Sequence, residues 1–158
     1  MKFFDTAEDI LELAQDKFED TNLPQMGVYL KVISVTKGKE ILKIGRANAT
    51  TEYITKKSDM CTLLVYEEAF DRLTDDYKAK LMEGALSNVS YDTEKCKLNV
   101  DTSKYGELFR MRRKYSNYVD IAEAAALTIE QIAEEEKERK EEEKARKAAE
   151  KEAKKNRR

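Results

Sequence analysis

The stretch from Thr74 to Val100, TDDYKAKLMEGALSNVSYDTEKCKLNV, has the form of an amphipathic helix running into a β-hairpin. A helix that grips Zn²⁺ through two imidazoles needs them four residues apart, because 3.6 residues per turn brings i and i+4 onto one face. A Glu between them then serves as general base on the bound water. Here those positions read Gly84, Ala85, Leu86, Ser87 and Asn88. Gly84 has no side chain, Ala85 cannot take a proton, and Asn88 is a poor zinc ligand. The chain contains no histidine at all, which removes the commonest transition-metal ligand and the usual base near neutral pH. Carboxylate-only chemistry, a paired-acid glycosidase or a Mg²⁺ site, survives in principle. On this segment Glu83, Asn88 and Asp92 are the side chains a cation could use instead.

A second segment, FRMRRKYSNY, places Arg110, Arg112, Arg113 and Lys114 among Phe109, Tyr115 and Tyr118. Cations interleaved with aromatics suit phosphate contact combined with base stacking. The same pattern fits a helix with a solvated basic face and a buried aromatic one. The basic end, KKNRR, fits either a phosphate or acidic partner or a simple cap on a helix dipole.

These residues need elements to hold them. Thr6 followed by Glu8 and Asp9 predicts a helix cap, with Ile10, Leu11, Leu13, Ala14 and Phe18 as the apolar face. GVYLKVISV and EILKIGRA read as strands around a TKGK turn. Asn48 or Thr50 opens a short helix with Tyr53 and Ile54 as its apolar contacts. MCTLLVY, Met60 to Tyr66, reads as a central strand covered on both faces. EEAFDRL and the Thr74-capped segment follow as helices, then a hairpin with DTEK as its turn and Val89, Tyr91, Cys96, Leu98 and Val100 alternating. Helical spacing returns through Tyr105, Leu108, Phe109 and Met111. A last helix carries a stripe of Ile121, Ala125, Thr128, Ile129 and Ile132. Gly84 costs its helix about 1 kcal/mol against Ala, which close approach of a neighbouring strand, or a cleft accepting a partner group, would explain.

Beyond Ile132 apolar content falls to alanine alone. Residues 133 to 158 hold nine Glu against eleven Lys or Arg, so with −2 overall the first 132 residues carry −4. That balance argues against a large nucleic-acid footprint on the core. Acid-first pairs Glu135/Arg139, Glu136/Lys140, Glu142/Arg146, Glu143/Lys147 and Glu150/Lys154 each add about 0.2–0.5 kcal/mol, enough in sum to support a solvated helix. Cys61 and Cys96 lack any Cys-x-x-Cys spacing, and Cys61 reads as a buried thiol. Neither a signal peptide nor a run of roughly 20 apolar residues is evident, which predicts a cytoplasmic, reduced protein with no membrane contact.

In order and pattern, residues 28 to 105 resemble a family of phage metallopeptidases, small zincin-like proteins. That family has an apolar strand, an Asn-Glu-Glu-like start to a short helix, and Leu-Asp-Asp leading into a helix with His-Glu-Leu-x-His, followed by a hairpin. CTLLVY matches the strand, Glu67 to Phe70 the short helix, and Leu73 to Asp76 the lead. Leu81, Met82 and Glu83 match the apolar pair and acid before the first ligand. Of the ligand segment only Leu86 is kept, and the further ligand after the hairpin would fall near Val100. The resemblance therefore implies a zincin-like frame without zinc, with Gly84, Ala85 and Asn88 as the vestigial site.

The expected fold is α+β, a mixed sheet of three to five strands packed by helices, with a long charged C-terminal helix. Its parts are an N-terminal amphipathic helix (1–22), the core (23–118) and the C-terminal helix (119–158), highly charged from 133. The expected function is that of a non-enzymatic phage accessory protein, binding a phage or host protein and requiring no metal or cofactor. The alternative is a nucleic-acid-binding accessory using Arg110, Arg112, Arg113, Lys114 and Tyr115 with the basic tail.

Overall fold

A computed structural model describes residues 1–157; Arg158, the last of the basic tail, lies outside the described residues. The fold is α+β. Four strands form one mixed sheet in the order β1 (Phe3–Phe4), β2 (Tyr29–Val35), β4 (Met60–Tyr66), β3 (Leu42–Arg46). β2 and β4 are parallel, while β1 on β2 and β3 on β4 are antiparallel. The two-residue β1 carries no sequence signal beyond two phenylalanines. A separate antiparallel hairpin, β5 (Val89–Asp92) and β6 (Lys97–Val100), pairs Val89 with Val100 and Tyr91 with Leu98. Cys96 sits in its turn, exposed and with positive φ, rather than in the alternating strand.

β4 lies between β2 and β3 as expected of its apolar run. Both faces are covered, unequally: Cys61, Leu63 and Val65 are fully buried on one, while on the other Met60 and Tyr66 are buried and Thr62 and Leu64 half-buried between them. The buried face packs on α1 (Glu8–Glu19) and α4 (Asp75–Ser87), whose Ile10, Ala14, Phe18, Leu81, Met82 and Ala85 belong to the same core.

Two local expectations need correction. Thr6 is not the cap of α1; its hydroxyl shares a 3.0 Å hydrogen bond with buried Ser34 Oγ, which donates to Glu67 Oε1 at 2.6 Å, and the first turn is served instead by that same Glu67 Oε1, which accepts from the Ala7 N–H at 2.8 Å. A distant carboxylate at a helix N-terminus satisfies an orphan donor as a local one would. The short α2 (Ala49–Thr55) is capped by Asn48, which accepts from Thr51 N at 2.7 Å, yet its Tyr53 and Ile54 face solvent.

Thr74 caps α4, accepting from Tyr77 N at 3.3 Å. The short α3 (Glu67–Asp71) precedes it, α5 (Lys104–Lys114) follows the hairpin, and α6 runs unbroken from Tyr118 to Asn156. Ile121, Ala125, Thr128 and Ile132 are buried, and after Ile132 all the described residues are exposed except half-buried Glu136. Arg72 and Lys37 hold the base of this projection through Glu135 at 2.7 Å and Glu136 at 2.9 Å. Further out Glu136 pairs with Lys140 and Glu143 with Lys147 as spacing predicts, whereas Arg146 turns to Glu150. Among the described residues no helix is long and apolar enough to cross a membrane.

Candidate functional site

Gly84, Ala85 and Asn88 end up where α4 meets α5 and α6. What approaches Gly84 is not a strand but the ring of Tyr118, the first residue of α6. A Cβ built on Gly84 would overlap the Tyr118 hydroxyl and lie 2.7 Å from its Cζ and 2.8 Å from Glu107 Oε1. The position has room for no side chain, so the glycine is required by packing and no cleft opens over it. A histidine ligand here would not fit, and the residues present do not suit a zinc ion.

The polar groups around Gly84 are bound to one another. Tyr118 Oη donates to Glu107 Oε1 at 2.6 Å, and Asn88 Nδ2 donates to Glu107 Oε2 at 3.2 Å. The Asn88 amide oxygen accepts from Arg110 Nη2, while Arg110 Nη1 reaches Asp101 at 3.2 Å. Burial, reinforced by the Glu107 charge, pushes the Tyr118 phenol far above its ordinary range, so this hydroxyl remains a donor. A backbone bond from Ser103 and then the Arg110 guanidinium hold the Asp101 carboxyl below its usual value.

A second cluster lies one turn back on α4. Glu83 takes an ion pair from Lys114 and a hydrogen bond from Tyr115 Oη at 2.7 Å. Burial works to raise the Glu83 carboxyl, but these two donors outweigh it and lower its pKa. Asp92, the other oxygen ligand considered for a cation, accepts from Glu94 N and Lys95 N in the hairpin turn. Glu83, Asn88 and Asp92 are therefore spent on three different sets of partners.

The structure thus joins two sets of residues that spacing alone leaves separate. Arg110 of the basic–aromatic segment turns onto Asn88, and Lys114 and Tyr115 turn onto Glu83. Arg112 and Arg113 turn outward. With them, contrary to the expected apolar face, go Tyr105 and Phe109, 85% and 67% exposed, while Leu108 and Met111 supply the inward contacts. Arg113 lies over the Phe109 ring, 5.8 Å from its centroid. On a helix, positions 105, 109, 112 and 113 follow i, i+4, i+7, i+8 and form one stripe. Positions 108, 111 and 115 form another, a division the sequence contained but the raw clustering of cations and aromatics obscured. Glu107 and Asp101 carry no sequence signal, and Tyr118 is marked only as an aromatic of the basic segment, because their roles depend on a contact between helices.

The result is a helix whose inner face is fixed by hydrogen bonds and ion pairs and whose outer face carries aromatic rings and guanidinium groups. Comparison with protein-family models, curated proteins and solved structures found no match for this chain.

Proposed function

We propose that the protein acts by binding another protein through the outer face of α5, as a non-enzymatic bacteriophage accessory protein in the host cytoplasm. On this reading it is a catalytically inactive metallopeptidase-like domain. The observation that carries the binding role is the exposed stripe of Tyr105, Phe109, Arg112 and Arg113. Tyr and Arg are the residue types enriched where binding energy concentrates, since a ring or guanidinium offers large contact area at small entropic cost. Both rings stand in water on one helix face, with Phe109 met by Arg113 of the same helix.

The non-catalytic part of the proposal draws on the neighbouring geometry. The space over Gly84 is filled by Tyr118, and the side chains that could serve as acid, base or ligand there hold one another. The solvated part of α6 spans Ala133 to Asn156, about 36 Å at 1.5 Å per residue, and provides a spacer with an acidic inner and a basic outer half.

That basic half favours one second reading. Rings on a helix with arginines beside them also suit single-stranded nucleic acid, and residues 144–158 carry eight bases against two acids. The two readings separate on a double variant, Phe109→Ala with Arg112→Ala. Under the first, partner-protein capture is lost at unchanged stability and low-salt nucleic-acid retention is negligible throughout. Salt-sensitive retention of nucleic acid by the parent chain, lost in the variant, would transfer the function to the second.

A further inference from the structure

Beside Glu107 lies a cavity of about 170 Å³. Its walls are apolar: Leu81 from α4, Leu108 from α5, and Ala122, Ala126 and Ile129 from α6. It opens to solvent along exposed Ala126, and its volume is close to that of a cavity that accepts a single benzene ring. At one end stand the Glu107 carboxylate and the Tyr118 hydroxyl, and at the rim Lys39, Glu40 and Lys104.

The charges around this cavity are unequally matched. Lys104 and Glu40 neutralise each other at 3.0 Å, and Lys39 is exposed to water. Among the described residues, half-buried Glu107 is held by neutral donors, the Tyr118 hydroxyl and the Asn88 amide. The Arg110 guanidinium is directed to Asp101 and to the other end of Asn88. The two donors fix the carboxylate without cancelling its charge. A negative group fixed at the end of an apolar pocket selects a ligand with an apolar body and a cationic head, because removal of both from water is compensated only when the charges meet.

We propose that this cavity is a binding site for a small free amine, an ammonium group on an aryl or short alkyl body, with Glu107 receiving the ammonium and Leu81, Leu108, Ala126 and Ile129 enclosing the body. The site is separate from the outer stripe of α5, and the proposal does not rest on the binding role given to that stripe.

The test titrates the full chain with benzylamine, its neutral isostere ethylbenzene and the anion benzoate, read by amide chemical shifts and by thermal shift. Benzylamine produces saturable shifts at Leu81, Leu108 and Ala126, ethylbenzene binds at least about tenfold more weakly, and benzoate gives none; the preference follows from a charge-assisted bond. Glu107→Gln, which keeps the side-chain shape, removes the preference for benzylamine over ethylbenzene. Ala126→Phe, at the mouth, removes binding of both without touching Glu107. Equal binding of benzylamine and ethylbenzene by the parent chain, preference for benzoate, or absence of saturable shifts with benzylamine overturns the proposal, whichever variants fold.

Discussion

The hydroxyl of Tyr118 donates to Glu107 Oε1 at 2.6 Å in the space directly over Gly84, where a Cβ would stand. One contact thereby joins α4, α5 and α6, and it makes the glycine a packing requirement in a helix that would otherwise be more stable with alanine.

Gly84→Ala measures that requirement. Helix propensity alone would stabilise by about 1 kcal/mol, but overlap with a ring that is 1% exposed dominates, and overpacking of this kind costs about 1–3 kcal/mol. Urea denaturation of the variant shows a lower midpoint. In the Tyr118→Phe background, which removes the overlapping hydroxyl, the same substitution costs less. A Gly84→Ala protein as stable as the parent would show that Tyr118 moves aside freely.

Asn88→Ala tests the hydrogen-bonded frame. Asn88 is buried and bridges Glu107 to Arg110, so its loss leaves two partners short of a bond. A cost of about 1–3 kcal/mol follows for stranded groups of this kind. The loss is read from the denaturation midpoint, with amide shifts in α5 reporting whether the helix loosens from α4.

Much of this framework was legible in the sequence, for definite reasons. Thr74 and Asn48 cap their helices through local bonds that need no tertiary partner. MCTLLVY forms an interior strand because its apolar run admits little else, and the α6 stripe ends at Ile132 as composition dictates. Thr6 failed as a cap because Glu67, 60 residues away, takes that role through the fold. Tyr53, Ile54, Tyr105 and Phe109 fall on apolar faces by spacing yet stand in water, because periodicity finds an apolar face without saying whether anything covers it. Gly84, Ala85 and Asn88 are readable as residues but not as geometry, since Tyr118 and Glu107 reach Gly84 only when three helices meet.

The two thiols differ in reactivity. Burial pushes Cys61 up to about 11, while Cys96 is exposed in the hairpin turn. Because the thiolate is the reacting form, a thiol reagent at pH 8 labels one site in the folded protein and two after denaturation. Mass mapping places the first label on Cys96; rapid labelling of Cys61 in native buffer would contradict the buried strand.

The base of the projecting helix titrates at low pH. Hydrogen bonds from Lys140 and then Lys37 hold the Glu136 carboxyl down to about 2. A carboxyl lowered in this way stabilises its contact above its ordinary value of 4.5 and loses that contribution as pH falls through the folded value. Carbon-detected NMR titration of Glu136 therefore finds a midpoint near 2 in low salt, moving toward 4.5 in Lys37→Ala and in high salt. A midpoint near 4.5 in the parent chain would mean that the helix base is not held.

The central claim is that the outer face of α5 meets a protein partner. A photo-crosslinking residue placed at position 109, and a control at exposed Glu12 on α1, address it in extract of the cells in which the protein acts. From position 109 one discrete, nuclease-resistant protein adduct forms; it is absent from position 12 and abolished by Arg112→Ala. Adducts of equal pattern from both positions, or adducts from 109 that nuclease removes, would contradict a protein-binding role for this face.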